Sequence, residues 1–114
     1  MAGAVNACLV APLFEEFVFR GFVLHRLRRS GVRFLPAAVS TTAAFALLHA
    51  PGWLFMNGAT LGTLLLLVNV AVVGMVLAAV AWRFPSLWCA ILLHAVHNAW
   101  DQGVILAAVR GAAP

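Results

Sequence analysis

A chain of 114 residues that is 65% hydrophobic and 9% charged, with a mean hydropathy of +1.06, lacks the polar surface that a soluble domain of this size needs. Its formal charge of +4 rests on seven arginines and no lysine, and four of them, Arg26, Arg28, Arg29 and Arg33, crowd one stretch between apolar segments. That placement suits anionic lipid headgroups better than nucleic acid, and no nucleic-acid partner is expected.

The fold class that follows is all-α, a polytopic membrane bundle of about four transmembrane helices of roughly 20 residues each. Residues 1–114 are expected to form one unit. The first helix runs from about Gly3 to Leu27, with Pro12 either kinking it or standing in the first turn of the part that carries two glutamates. Ser30-Gly31 breaks it after the arginines. Pro36 suits the first turn of a second helix, which Pro51-Gly52 is expected to stop just after His49. Fourteen residues would then rise about 21 Å, short of a hydrocarbon core of roughly 30 Å. Thr60 to Trp82 is a third span, apolar apart from Asn69, and Phe84-Pro85 ends it. Ser86 can cap a fourth helix from Leu87 toward Val109, with a potential break at Asp101-Gln102-Gly103.

Trp53, Trp82, Trp88 and Trp100 fall at or near proposed helix ends, as interfacial anchors do, and Trp100 fits the bundle interior equally. Arg26, Arg28, Arg29, Arg33 and Arg83 on one side, against Arg110 on the other, place the 1–2 and 3–4 loops in the cytoplasm. Gly58 and Gly62 make a small-xxx-small pattern suited to close packing within the bundle. Cys8 and Cys89 read as small buried hydrophobes without a disulfide. No signal-peptide pattern opens the chain, which is consistent with a core cut from a longer protein.

Chemistry concentrates in three clusters: Glu15-Glu16 with Arg20, Phe45 with His49, and His94 with His97-Asn98. A charge at the centre of a bilayer helix costs roughly 2.5 to 3.5 kcal/mol on insertion scales, and two of only three acidic residues stand there. Glu16 and Arg20, four apart, can pair on one helix face. Glu15 is rotated by about 100 degrees and lacks that local partner, which makes it the better free base. The alternative is that both glutamates only lock helices together. His94 and Asn98 repeat the four-residue spacing and can donate to an oxyanion, whereas His97 is as readily satisfied by a carbonyl or a neighbouring helix. A base, a histidine and a donor pair on three helices are the parts for water attack on a carbonyl. Neither a Gly-x-Ser-x-Gly elbow nor a His-Glu-x-x-His zinc motif is present.

The runs Ala11-Pro12-Leu13-Phe14-Glu15-Glu16-Phe17-Val18-Phe19-Arg20-Gly21, Phe45-Ala46-Leu47-Leu48-His49 and His94-Ala95-Val96-His97-Asn98 closely resemble, in order, the three motifs of the CPBP family. That family includes the CAAX prenyl proteases and bacterial proteins linked to bacteriocin processing or self-immunity. The resemblance implies an intramembrane endopeptidase in which Glu15 activates water, His49 helps position it, His94 and Asn98 stabilise the oxyanion, and Glu16 and Arg20 support the site. His97 departs from the motif and receives no role, and members usually carry further helices ahead of the first motif.

No cofactor is required on this reading. A zinc alternative needs Glu15 or Glu16, His49 and His94 within about 2.0 to 2.2 Å of one ion. The expected partners are a peptide or membrane-protein substrate and the lipid bilayer, in a bacterial cell membrane. Two other classes stay open: a non-catalytic membrane interaction or immunity protein that keeps the cluster as glue, and a His-lined metal or haem carrier.

Overall fold

The computed structural model describes the backbone of residues 2–111, and within it the side chains of 3, 5–103 and 111. The described residues are all-helical and contain no strand. The first helix, α1 (2–29), alternates between two hydrogen-bonding registers: α-helical at Ala2–Val5, Ala11–Glu16 and His25–Arg29, and π-helical at Asn6–Val10 and Phe17–Leu24. Pro12 stands in the first turn of the Ala11–Glu16 stretch, and beside it Ala11 N–H reaches back five residues to the Asn6 carbonyl. The register changes where a residue contributes no N–H, so α1 continues through Pro12. Ser30 and Gly31, the latter at φ 81°, then turn the chain.

The second helix, α2 (Phe34–Asn57), begins as the sequence predicts, with Pro36 in its first turn, where the N–H groups have no helical partner anyway. Its end is different. Pro51 and Gly52 lie inside α2, which continues to Gly58 at φ 66°. Proline removes one bond of the ladder, and Pro51 lies exposed on α2. At 24 residues α2 rises about 36 Å, so the expected 21 Å is corrected and His49 sits in the helix interior.

Helix α3 (Leu61–Arg83) starts on Thr60, whose hydroxyl accepts from Thr63 N–H at 3.2 Å, and ends at Phe84, close to the expected bounds. Helix α4 (Trp88–Gly111) passes through Asp101-Gln102-Gly103 without the break that Gly103 suggested. At its start Cys89 N–H meets the Ser86 carbonyl at 3.4 Å, in place of the expected hydroxyl cap. Among the described residues two helices, α2 and α3, are long and apolar enough to cross a membrane.

Large apolar side chains cover much of the outside, and several polar ones lie inside beside the apolar core. Phe14, Phe17, Phe22, Leu47, Phe55 and Leu61 are each more than 60% exposed, while Glu16, Arg20, Thr41, Thr42, Thr63 and His94 are buried. An apolar exterior around a polar interior is stable where the surroundings are hydrocarbon. At the arginine end, Leu24, Ala37, Ala38 and Ala78 form a small apolar core in which the alanines let α2 and α3 approach α1 closely. Arg28 stacks over Trp82 with its guanidinium carbon 4.7 Å from the ring centroid, and donates to the Trp82 carbonyl at 2.8 Å. The α1–α2 turn and the end of α3 therefore share one face.

Two smaller expectations change. Gly62 is exposed, and a Cβ there would meet only the Thr60 hydroxyl at 3.6 Å, so the Gly58–Gly62 pattern packs no helix pair. The close approach is at Gly74, where a Cβ would lie 2.9 Å from Thr42 Cγ2. Cys89 is exposed and Cys8 half-buried, both as free thiols. The Arg110 side chain lies outside the described residues.

Candidate active site

The two adjacent glutamates have opposite surroundings because one helical step turns them apart. Glu16 is fully buried, and its Oε1 accepts from Arg20 Nη1 at 3.0 Å and from His94 Nδ1 at 2.8 Å. With Oε1 already accepting from Arg20, the His94 contact requires Nδ1 to carry the hydrogen. Arg20 in turn donates through Nη2 to the Gly74 carbonyl at 3.0 Å. This network joins α1, α3 and α4. Glu16 Oε2 and Arg20 Nε have no hydrogen-bond partner among the described residues.

Glu15 instead opens onto a cavity of about 300 Å³, with 28% of its side chain exposed. Its Oε2 lies 3.6 Å from His94 Nε2 and its Oε1 lies 4.0 Å from His49 Nε2. Both separations exceed a direct hydrogen bond and suit a bridging water. His49 Nδ1 lies 2.8 Å from the Phe45 carbonyl, one turn back on α2. A carbonyl only accepts, so Nδ1 is the donor, and Nε2 is the atom turned toward Glu15.

Phe45 sits at the centre of the site. It is 2% exposed, packs edge-on against Phe19, His49 and His94 at centroid distances of 5.3, 4.7 and 5.8 Å, and has the Arg20 guanidinium carbon 4.7 Å from its centroid. Asn98 also lines the cavity, and its Nδ2 donates to the Ala7 carbonyl at 2.8 Å, tying α4 to the first π stretch of α1. One amide hydrogen remains for another acceptor.

Glu15, His49, His94 and Asn98 thus converge on one cavity, with Glu16 and Arg20 sealed behind it. Three features went unread in the sequence. His97 is met by Asp101 at 3.4 Å, one turn on along α4, a pairing that the four-residue spacing makes legible. Asn69 lines the cavity. Gly74 has no local signal, since its role depends on Thr42 and Arg20 approaching from other helices. Among the described residues no three His, Cys, Asp or Glu side chains converge as a ligand set.

The site is a buried glutamate–arginine pair beside a cavity-facing glutamate and two histidines, inside an apolar helical shell. The family described as Type II CAAX prenyl endopeptidase Rce1-like matches residues 1–100, and the chain belongs to that family of membrane proteases. This agrees with the resemblance carried by the three motifs. Neither the curated proteins nor the solved structures gave a match to the chain.

Proposed function

We propose that the chain is an intramembrane endopeptidase that hydrolyses a peptide bond with a water activated by Glu15, without a metal. The observation that carries the reading is the position of the Glu15 carboxylate, exposed to the cavity and facing the Nε2 atoms of two histidines from two other helices. A water placed there gives one hydrogen to Glu15 and the other to the His49 Nε2 lone pair, which aims its oxygen at a substrate carbonyl. As the C–O bond forms, Glu15 takes the proton, and the tetrahedral oxyanion accepts from His94 Nε2 and from the second amide hydrogen of Asn98. Nδ1 of His94 is already a donor to Glu16, so donation at Nε2 requires the doubly protonated ring, with Glu16 as its counter-ion. Collapse breaks the C–N bond, and the proton held by Glu15 passes to the leaving nitrogen.

On this reading all four long helices are membrane-embedded, the arginine-bearing turns face the cytoplasm, and the substrate is a peptide or membrane-protein segment in a bacterial-type membrane. The test is cleavage of a quenched fluorescent peptide library by the protein in nanodiscs, comparing wild type, Glu15→Gln and wild type with chelator. Cleavage lost in the variant and retained with chelator is expected. Activity that survives Glu15→Gln sinks the mechanism, and activity lost to chelator makes the enzyme metal-dependent. A folded wild type that cleaves nothing favours the interaction or immunity class.

A further inference from the structure

His94, His97, Asn98 and Asp101 stand at positions i, i+3, i+4 and i+7 of α4 and so form one stripe along the helix. All four line the cavity that holds Glu15. A second, more open cavity of about 690 Å³ adjoins it, and the two share Leu66, Asn69 and Asp101 as a common wall. Together they make a trough that leads away from Glu15 between α3 and α4.

Asp101 is the only acid in the chain besides Glu15 and Glu16. Its side chain is 49% exposed, and its partner is His97 at 3.4 Å. The arginines with described side chains are elsewhere: Arg20 is locked to Glu16, and Arg26, Arg28, Arg29, Arg33 and Arg83 belong to the opposite end, where Arg28 meets Trp82. Among the described residues the trough therefore presents one half-exposed carboxylate whose ionisable partner is a histidine, in a protein otherwise dominated by positive charge.

Resting on the endopeptidase reading above, we infer that Asp101 is a specificity-determining residue, selecting substrates with a lysine or arginine near the bond to be cut. From His94 to Asp101 is seven residues, or about 10.5 Å along α4. An extended peptide advances about 3.3 Å per residue, so the favoured cation lies about three residues from the scissile bond. Asn69 and the Leu66 side chain flank the same stretch and supply a polar and an apolar wall for the lysine stem.

The test uses matched peptides with lysine, norleucine or glutamate at each position within four residues of the cleaved bond. Binding is read by anisotropy on the Glu15→Gln protein and turnover on the wild type. Lysine three residues away is expected to be favoured over norleucine by about fivefold, the ratio that a half-exposed ion pair supports. Asp101→Asn in either background should bring that ratio to about one, and Asp101→Lys should favour glutamate instead. A lysine preference that survives Asp101→Asn, or no charge preference in binding, overturns the assignment. Charge-selective binding that depends on Asp101 without turnover by the wild type would refute the protease reading and leave the charge-selective trough standing.

Discussion

Substitution of Gly74 by alanine tests whether the glutamate–arginine network depends on how closely α2 and α3 approach. The added Cβ would lie 2.9 Å from Thr42 Cγ2, 3.3 Å from Thr42 Oγ1 and 3.4 Å from Arg20 Nη2. Carbon atoms settle at about 3.5 to 4.0 Å, so α2 and α3 must separate by about 0.6 Å or Thr42 must rotate. Overpacking of this kind costs about 1 to 3 kcal/mol, and the shift also pulls the Gly74 carbonyl away from Arg20. Thr42→Ala removes both clashing atoms. The assay is a double-mutant cycle on the unfolding midpoint in detergent, followed by tryptophan fluorescence, with peptide cleavage measured alongside. Gly74→Ala alone should lower both stability and activity, and adding Thr42→Ala should recover about 1 kcal/mol or more as coupling. A Gly74→Ala protein as stable and active as wild type, or effects that simply add, would refute the argument.

Glu16→Ala leaves Arg20 buried without its carboxylate and should destabilise the protein by about 3 to 5 kcal/mol, while Glu16→Gln keeps an acceptor for Arg20 and should lose activity more than stability; unfolding in detergent separates the two. Phe45→Ala opens a void between α1, α2 and α4 and should cost about 3 to 5 kcal/mol by the same measurement. Asn98→Ala removes the tie to Ala7, for about 1 kcal/mol, and should lower kcat with little change in KM. Asn98→Asp keeps the shape but removes the donor, and should restore neither.

The site residues were legible because they are polar where everything around them is apolar. Glu15, Glu16, His49 and His94 stand out on those grounds alone, and helical spacing paired Glu16 with Arg20 correctly. Spacing also separated the two glutamates, which the structure places in a sealed and a wet environment. The end of α2 was misread because Pro51-Gly52 is a strong local stop signal that a helix with an exposed proline can override. The π-helical stretches of α1 have no clear sequence marker apart from Pro12. Gly74 and Thr42 were invisible, since nine glycines look alike until a neighbouring helix chooses one. The Gly58–Gly62 pattern, a more conspicuous candidate, turned out to frame a turn.

The ring of Phe45 touches the Arg20 guanidinium and both the His49 and His94 imidazoles. It also lines the cavity. The two carboxylates, neighbours in the chain, are linked beside it by the His94 ring, with Nδ1 2.8 Å from Glu16 Oε1 and Nε2 3.6 Å from Glu15 Oε2. A smaller side chain at this position would open the buried glutamate–arginine pair to the cavity, and His94 would no longer be the one route between the two acids.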